Sequence, residues 1–350
     1  MKKMNRRNLL KITACSMLLS GLSHNFSFSK SSEKIKPKKL EPGDKVGLIC
    51  PATAVTDPND LAKAMEIIKY YGLQAVIGDS VKSGSGYKSR TVKERVDDLH
   101  KMFADKSVKA VFCIRGGYGS AQILDSIDYE LIRNNPKIFC GYSDITAMLI
   151  AIQKLTGLVT FHGPMMLSAF TTFTAKYFEA IFINNQAPVE MTNPIHSSGI
   201  RNPYPTRTIV SGKASGELVG GNLTTISTTL GTPFEIDTKG KILFLEDVGE
   251  EPYRIDRMLT QLRLAGKFKE AKGILFGDCV DCGFRQFESS RSWDYTLGEI
   301  LDNYFSNMKI PVFSGLLVGH SSDQITLPLG AEVELDAENC KLTLLENALI

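Results

Sequence analysis

Residues 137–155, KIFCGYSDITAMLIAIQKL, run from an apolar strand straight into an amphipathic helix, with one serine at the corner. Ile138, Phe139 and Cys140 read as a short buried strand. Gly141 permits a tight backbone, and Ile145, Met148, Leu149 and Ile152 recur at helical spacing. Ser143 therefore stands at a helix N-terminus, where free backbone N–H groups and the positive dipole end favour developing negative charge. A nucleophilic serine is presented in this way, and the N–H of Asp144 is the first candidate oxyanion donor. The nucleophile-elbow pattern G-x-S-x-G is half met, because Gly141 is present and Ile145 replaces the second glycine. Ser143 and Asp144 also suit plain helix capping, so this stretch alone leaves both readings open.

On either side of that corner, apolar strands alternate with helix-length segments. In order they are Val46–Cys50, a helix near 59–71, Gln74–Ile77, a helix near 91–104, Ala110–Ile114, a helix near 120–127, Ile138–Cys140, the helix after Ser143, and Leu158–Phe161. The alternation predicts an α/β domain, a parallel sheet wrapped by helices on both faces, over residues 40–186. Ligands bind such sheets beyond the carboxyl ends of the strands. Pro51-Ala52-Thr53, Arg115-Gly116-Gly117-Tyr118-Gly119, Tyr142-Ser143 and His162-Gly163-Pro164 fall at those ends and are expected to converge on one cleft. The glycine-rich turn fails the dinucleotide pattern, since Gln122 stands at the third glycine of the frame that starts at Gly117. A backbone nest that donates N–H groups to a carboxylate or oxyanion suits it better. Arg115 beside it suits either a substrate carboxylate or a surface salt bridge.

Residues 187–215 are rich in Pro, Ser, Asn and Thr without periodicity and are expected to be a linker. Beyond it, over 216–346, short strands dominate: Glu217–Val219, Lys241–Leu245, Gly273–Phe276, Val312–Val318, Gln324–Leu327, Glu332–Leu335 and Lys341–Leu345. Helices are expected only near 222–230, 252–265 and 295–306, so the second domain is predicted to be strand-rich.

A serine needs a base, and histidine suits because its pKa lies near neutrality. His24 lies near the N-terminus, His100 on the polar face of a helix, and His196 in the linker. His162 and His320 remain. His320 ends an apolar strand between Gly319 and small polar residues, which leaves its ring room, whereas Pro164 and the apolar residues after His162 suggest a cleft wall. His320 is the preferred base. Its orienting carboxylate is best supplied by Glu246, the first acid after the strand Lys241–Leu245, although a solvated acid in a turn would look the same. Glu250 and Glu251 have another explanation, since they precede Pro252 at the start of a helix.

The chain has 350 residues, 43% hydrophobic and 23% charged, enough for two cores. Its net charge of +3 is small and much of the basic excess lies in the first forty residues, which argues against a nucleic-acid footprint. That basic start, Asn5-Arg6-Arg7-Asn8-Leu9-Leu10-Lys11 before the apolar stretch Ile12–Leu22, predicts a twin-arginine-type export signal over 1–29 and hence a periplasmic or extracytoplasmic protein. Cleavage after Ser23 or Ser29 fits; Ile12-Thr13-Ala14-Cys15 fits a lipoprotein pattern only loosely. The apolar run is short for a membrane span, and no other is longer. The placement of the seven cysteines speaks against disulfides, since Cys50, Cys113 and Cys140 end apolar strands and are expected to stay unpaired as small hydrophobes. Cys279-Val280-Asp281-Cys282 has no second pair or histidine at metal spacing, so it is expected to be structural and no zinc site is predicted.

Several blocks in the right order resemble one family. Val111-Phe112-Cys113-Ile114-Arg115-Gly116-Gly117-Tyr118-Gly119, Gly141-Tyr142-Ser143-Asp144, His162-Gly163-Pro164, Gly220-Gly221-Asn222, Leu245-Glu246-Asp247 with Pro252-Tyr253-Arg254-Ile255-Asp256-Arg257, and Gly319-His320 are similar to the LD-carboxypeptidases. That serine peptidase family includes murein tetrapeptide carboxypeptidases and microcin C immunity proteins, and the resemblance covers about residues 40–345. It implies a Ser143–His320–Glu246 triad and an oxyanion hole from the N–H groups of Gly117 and Asp144, with Gly116 and Arg115 beside the substrate. It also implies a flavodoxin-like N-terminal domain, a strand-rich C-terminal domain, a homodimer, and no metal or cofactor. The implied reaction is release of the terminal D-alanine of murein tetrapeptides. The export signal departs from family members that recycle murein in the cytoplasm. Two other functions fit the same sequence: hydrolysis of a peptidyl-nucleotide antibiotic, with Trp293 offering a stacking face, and non-catalytic binding of exported murein peptides.

Overall fold

The computed structural model describes residues 33–82, 91–194, 202–283 and 295–350. The predicted export signal, His24, His196 and Trp293 lie outside them. The first sheet is built from β1 (Lys45–Ile49), β2 (Gln74–Ile77), β3 (Val108–Cys113), β4 (Ile138–Gly141) and β5 (Thr160–His162). The second takes β6 (Val189–Met191), β7 (Arg207–Val210), β8 (Lys213–Asn222), β9 (Ile242–Val248), β10 (Gly273–Val280) and β11 (Val312–Ser314). β12 (Leu327–Leu329) returns to the first sheet, and β13 (Glu332–Asp336) and β14 (Lys341–Leu344) complete the second.

The first sheet is ordered β2-β1-β3-β4-β5-β12, parallel except where β12 pairs antiparallel with β5. This is the flavodoxin-like order, whose reversal between β1 and β3 opens a crevice at their carboxyl ends. Val46, Leu48, Val111, Phe112, Ile138 and Phe139 are fully buried, as expected of strands covered on both faces. The covering helices begin where the sequence supplies caps. Asp57 accepts from the Asn59 N–H at the start of Pro58–Tyr70, and Thr91 with Glu94 forms a reciprocal capping box for Val92–Ala104.

The second sheet is ordered β6-β14-β13-β8-β9-β10-β11-β7, with β8 to β11 mutually parallel and the flanks antiparallel. Two of its strands, β6 and β7, lie within 187–215. Strand periodicity sorts β9 cleanly. Ile242 and Phe244 join the core shared with the first sheet, while Leu243 and Leu245 face a second core under the helices Leu223–Thr229, Pro252–Leu264 and Leu297–Phe305.

Three segments differ from the sequence expectation. Residues 120–126 form a 3₁₀ helix, because Gly119 enters it at φ 117° and the Asp144 carboxylate takes the N–H groups of Gly119 and Ser120. The strand predicted over 312–318 stops at Ser314, because Gly315 turns the chain at φ 97° with Pro205 O close against it. The strand expected over 324–327 is instead Leu327–Leu329, and it pairs with the first sheet, Leu327 opposite His162. Cys279 and Cys282 are joined in a disulfide, which corrects the expectation that no pair forms; the turn through Asp281, at φ 56°, brings their Cα atoms to 5.4 Å. Cys50, Cys113 and Cys140 are buried and form no disulfide. Among the described residues no helix is long and apolar enough to cross a membrane, and no cluster of three or more His, Cys, Asp or Glu side chains is placed to hold a metal ion.

Candidate active site

Ser143 sits on a sharp turn. Its φ of 60° is in the left-handed region, uncommon for a residue with a side chain, between the end of β4 and the helix Thr146–Thr156. The turn closes because Gly141 has no side chain: a Cβ there would meet Ile145 Cγ2 at 2.9 Å. Ile145, fully buried, folds onto Gly141, which is how the elbow tolerates isoleucine at the second glycine position. The Asp144 carboxylate turns away to accept from Gly119 N–H (3.3 Å) and Ser120 N–H (2.7 Å). Any contribution of Asp144 to the site therefore comes from its backbone N–H.

The glycine-rich turn is clamped to the corner after β1. A Cβ on Gly117, at φ 106°, would fall 2.0 Å from Thr53 Oγ1, which accepts from Tyr118 N–H at 3.1 Å. Gly116 lies directly against the serine, since a Cβ on it would be 3.1 Å from Ser143 Cβ. Arg95, which is not among the sequence-predicted residues, is 1% exposed and donates to Pro51 O (2.7 Å) and Gly119 O (2.9 Å), tying the two corners together. Its one sequence signal is a long cation on the core-facing side of the helix Val92–Ala104, beside Val96 and Leu99.

From the second sheet comes the acid. Glu246 has the parity of Ile242 and Phe244, so it points towards the first sheet, whereas Asp247 points the other way and takes the N–H and hydroxyl of Thr224. Glu246 is fully buried, and its Oε2 lies 2.8 Å from His320 Nδ1. A carboxylate there fixes the neutral tautomer with Nδ1–H donated to Glu246 and the basic lone pair on Nε2.

The loop that carries His320 is held by Asp278, also not predicted from sequence. Its Oδ1 accepts from Val318 N–H (2.9 Å) and Gly319 N–H (2.6 Å), and its Oδ2 from Ser321 N–H (3.1 Å) and Oγ (2.7 Å). The ladder between β9 and β10 shifts register between Phe276 and Cys279, a bulge that re-aims Asp278. Asp278 carried the signal that marks Glu246, an acid just beyond an apolar strand. From below, His162 approaches Val318 O at 2.6 Å and so must donate its Nε2–H there. Burial drives the His162 pKa down to about 3, against the opposing pull of that hydrogen bond, so the ring is neutral. His162 is fully buried and supports Val318, two residues before His320.

Ser143, His320, Tyr142, Gly116, Gly117 and Arg115 line one cavity of about 310 Å³, together with Asp60. The Tyr142 ring stands edge-on to the His320 ring at 4.9 Å. Arg115 lines the cavity and donates one guanidinium N–H to Ala54 O at 3.3 Å. Burial works to lower the His320 pKa, but the hydrogen bond and charge of Glu246, helped by Asp247 and Asp278, outweigh it and the pKa is raised. Burial also raises the Glu246 carboxyl, to about 7, with His320 opposing. The two titrate as a pair, and the direction that governs chemistry is the raised imidazole. The arrangement can take a proton from a hydroxyl, hold it, and return it to a leaving group.

Residues 46–163 match the LD-carboxypeptidase N-terminal domain and residues 215–335 the LD-carboxypeptidase C-terminal domain. The chain is 44% identical over 306 residues to a probable murein peptide carboxypeptidase of Bacillus subtilis, covering 86% of this chain and 91% of that protein. Among solved structures it resembles MccF in complex with glutamyl sulfamoyl guanosine, with a TM-score of 0.80 and 26% identity over 90% of this chain and 99% of the other. It also resembles a muramoyltetrapeptide carboxypeptidase from Oxalobacter formigenes, with a TM-score of 0.72 and 29% identity over 86% and 97% of the two chains.

The histidine must be neutral to act as a base, so kcat/KM should fall on acidification. Because the Glu246 carboxylate raises the His320 pKa, the midpoint of that acid limb is expected above the ordinary imidazole value of about 6.5. Glu246→Gln should move the limb to lower pH and reduce kcat by roughly 10²- to 10⁴-fold, read from pH–rate profiles of both proteins. An unmoved limb would show that the carboxylate does not act through the imidazole.

Proposed function

Because the chain belongs to the LD-carboxypeptidase family and is a serine carboxypeptidase, we propose that it releases the terminal D-alanine of murein tetrapeptides by hydrolysing an L,D-amide bond. The observation that carries this reading is one cavity into which a strained elbow presents Ser143 and a buried Glu246, at 2.8 Å, orients His320. His320 Nε2 takes the Ser143 proton as Oγ attacks the carbonyl of the diamino acid. The backbone N–H groups of Gly117 and Asp144 receive the oxyanion. The imidazolium then protonates the departing D-alanine amine, and water repeats the cycle on the acyl-enzyme.

Arg115 gives the reaction its exopeptidase character. In this reading Arg115, which lines the cavity beside Gly116, pairs with the carboxylate of the residue after the scissile bond. A second reading, hydrolysis of a peptidyl-nucleotide antibiotic by the same triad, is favoured by the structural likeness to an MccF bound to an acyl sulfamoyl nucleoside. We also propose export to an extracytoplasmic compartment, on the N-terminal Arg6-Arg7 pattern. The Cys279–Cys282 bond supports this, since disulfides persist in oxidising compartments.

Ser143→Ala should abolish D-alanine release from purified tetrapeptide, by mass spectrometry, with the melting temperature little changed; undiminished release would refute the nucleophile. Running wild-type protein on tetrapeptide and on an aspartyl sulfamoyl nucleoside side by side separates the two substrates. Arg115→Ala should lower kcat/KM on the tetrapeptide about tenfold or more while sparing a D-alaninamide-terminated peptide, which lacks the carboxylate; equal losses would make Arg115 structural. In fractionated cells the protein should appear outside the cytoplasm, and Arg6→Lys with Arg7→Lys should retain it inside; export unaffected by the pair would remove the twin-arginine assignment.

A further inference from the structure

Among the described residues that line the catalytic cavity, Asp60 is the one carboxylate. It belongs to the first turn of the helix Pro58–Tyr70, which follows β1 at the crevice of the first sheet. Helix capping does not account for its placement in the cavity, because Asp57 already caps this helix by accepting from Asn59 N–H. Its partner within the chain is Lys63, at 3.4 Å and 64% exposed, a surface contact that contributes little and leaves carboxylate oxygen to spare.

A murein tetrapeptide is rich in carboxylates, so a negative charge in its binding cavity opposes binding unless it faces a cation. The stem offers one cation close to the scissile bond, the ω-ammonium of the diamino acid whose carbonyl Ser143 attacks. Its alkyl stem carries that charge away from the reacting carbon on the side opposite the D-alanine, whose carboxylate Arg115 takes. Resting on the tetrapeptide reading above, we propose that Asp60 is a specificity residue that receives the free ω-ammonium of the diamino acid. The two charged residues of the cavity then read the substrate at two points, carboxylate by Arg115 and ammonium by Asp60. One consequence reaches beyond affinity. In cross-linked murein that same nitrogen is acylated and neutral, so Asp60 directs the enzyme to stems that have not accepted a cross-link. The desolvated carboxylate left facing an amide is the penalty that rejects the linked form.

The test uses N-acetylmuramoyl tetrapeptides made with meso-diaminopimelate and with L-lysine, whose one free amine is the ω-amine, and the same peptides after N-acetylation. Wild-type protein should release D-alanine from the free-amine form with a kcat/KM about tenfold or more above the acetylated form. Asp60→Asn should erase that preference by raising KM on the free-amine peptide and lowering it on the acetylated one, with kcat on each little changed, and Asp60→Glu should restore part of it. Equal wild-type rates on the two forms, or an equal loss on both in Asp60→Asn, would overturn the assignment while leaving the tetrapeptide reaction intact. Release from none of the peptides by a stably folded protein would overturn the proposed function, and the assignment with it.

Discussion

A carboxylate with no exposed surface, 2.8 Å from an imidazole that reaches an open cavity, is the contact on which the architecture depends. Removing a carboxylate from water is unfavourable, and the neutral acid becomes easier to form, as the upward shift of Glu246 reflects. The site holds Glu246 there because one oxygen meets His320, and the result is an imidazole made more basic and fixed in one tautomer. Everything that keeps His320 at that distance therefore acts on the chemistry without touching a substrate.

The loop bearing His320 leaves the second sheet at β11 and enters the first at β12, so it bridges the two. Asp278 grips it from the second sheet through four hydrogen bonds, and His162 grips Val318 from the first. The serine is tied across the same gap, since Thr146 Oγ1 at the base of its helix accepts from Asn222 N–H at the end of β8. The Ser143 corner and the His320 loop are thus each anchored to both sheets. Both sheets also offer the carboxyl ends of parallel strands to the cleft, where loops are free to carry chemistry without disturbing the hydrogen-bonded ladders.

Much of this was legible in the chain. The alternation of strands and helices over residues 45–161 sufficed for the parallel sheet, because local periodicity and caps point the same way there. Ser143 was visible from Gly141 and the helical spacing after it, and Glu246 from its place just past an apolar strand. Asp278 and Arg95 were not singled out, since an acid after a strand and a cation on a helix acquire roles only through what the fold sets beside them. Asp60 was not singled out either, for the same reason. The edge strands β6 and β7 escaped periodicity because short strands at a sheet margin need few alternating residues.

Residue order by itself determined the strand–helix alternation of the first sheet and the serine at its corner, because periods of 3.6 and 2.0 are properties of the local backbone. Tertiary structure alone decided that β12 crosses to the first sheet, that Asp278 braces the loop of His320, and that Arg115 and Asp60 share a cavity with the serine. Those outcomes rest on contacts between residues far apart in the chain. Such contacts are selected by shape, burial and the need to pair buried polar groups, none of which a local stretch of sequence encodes.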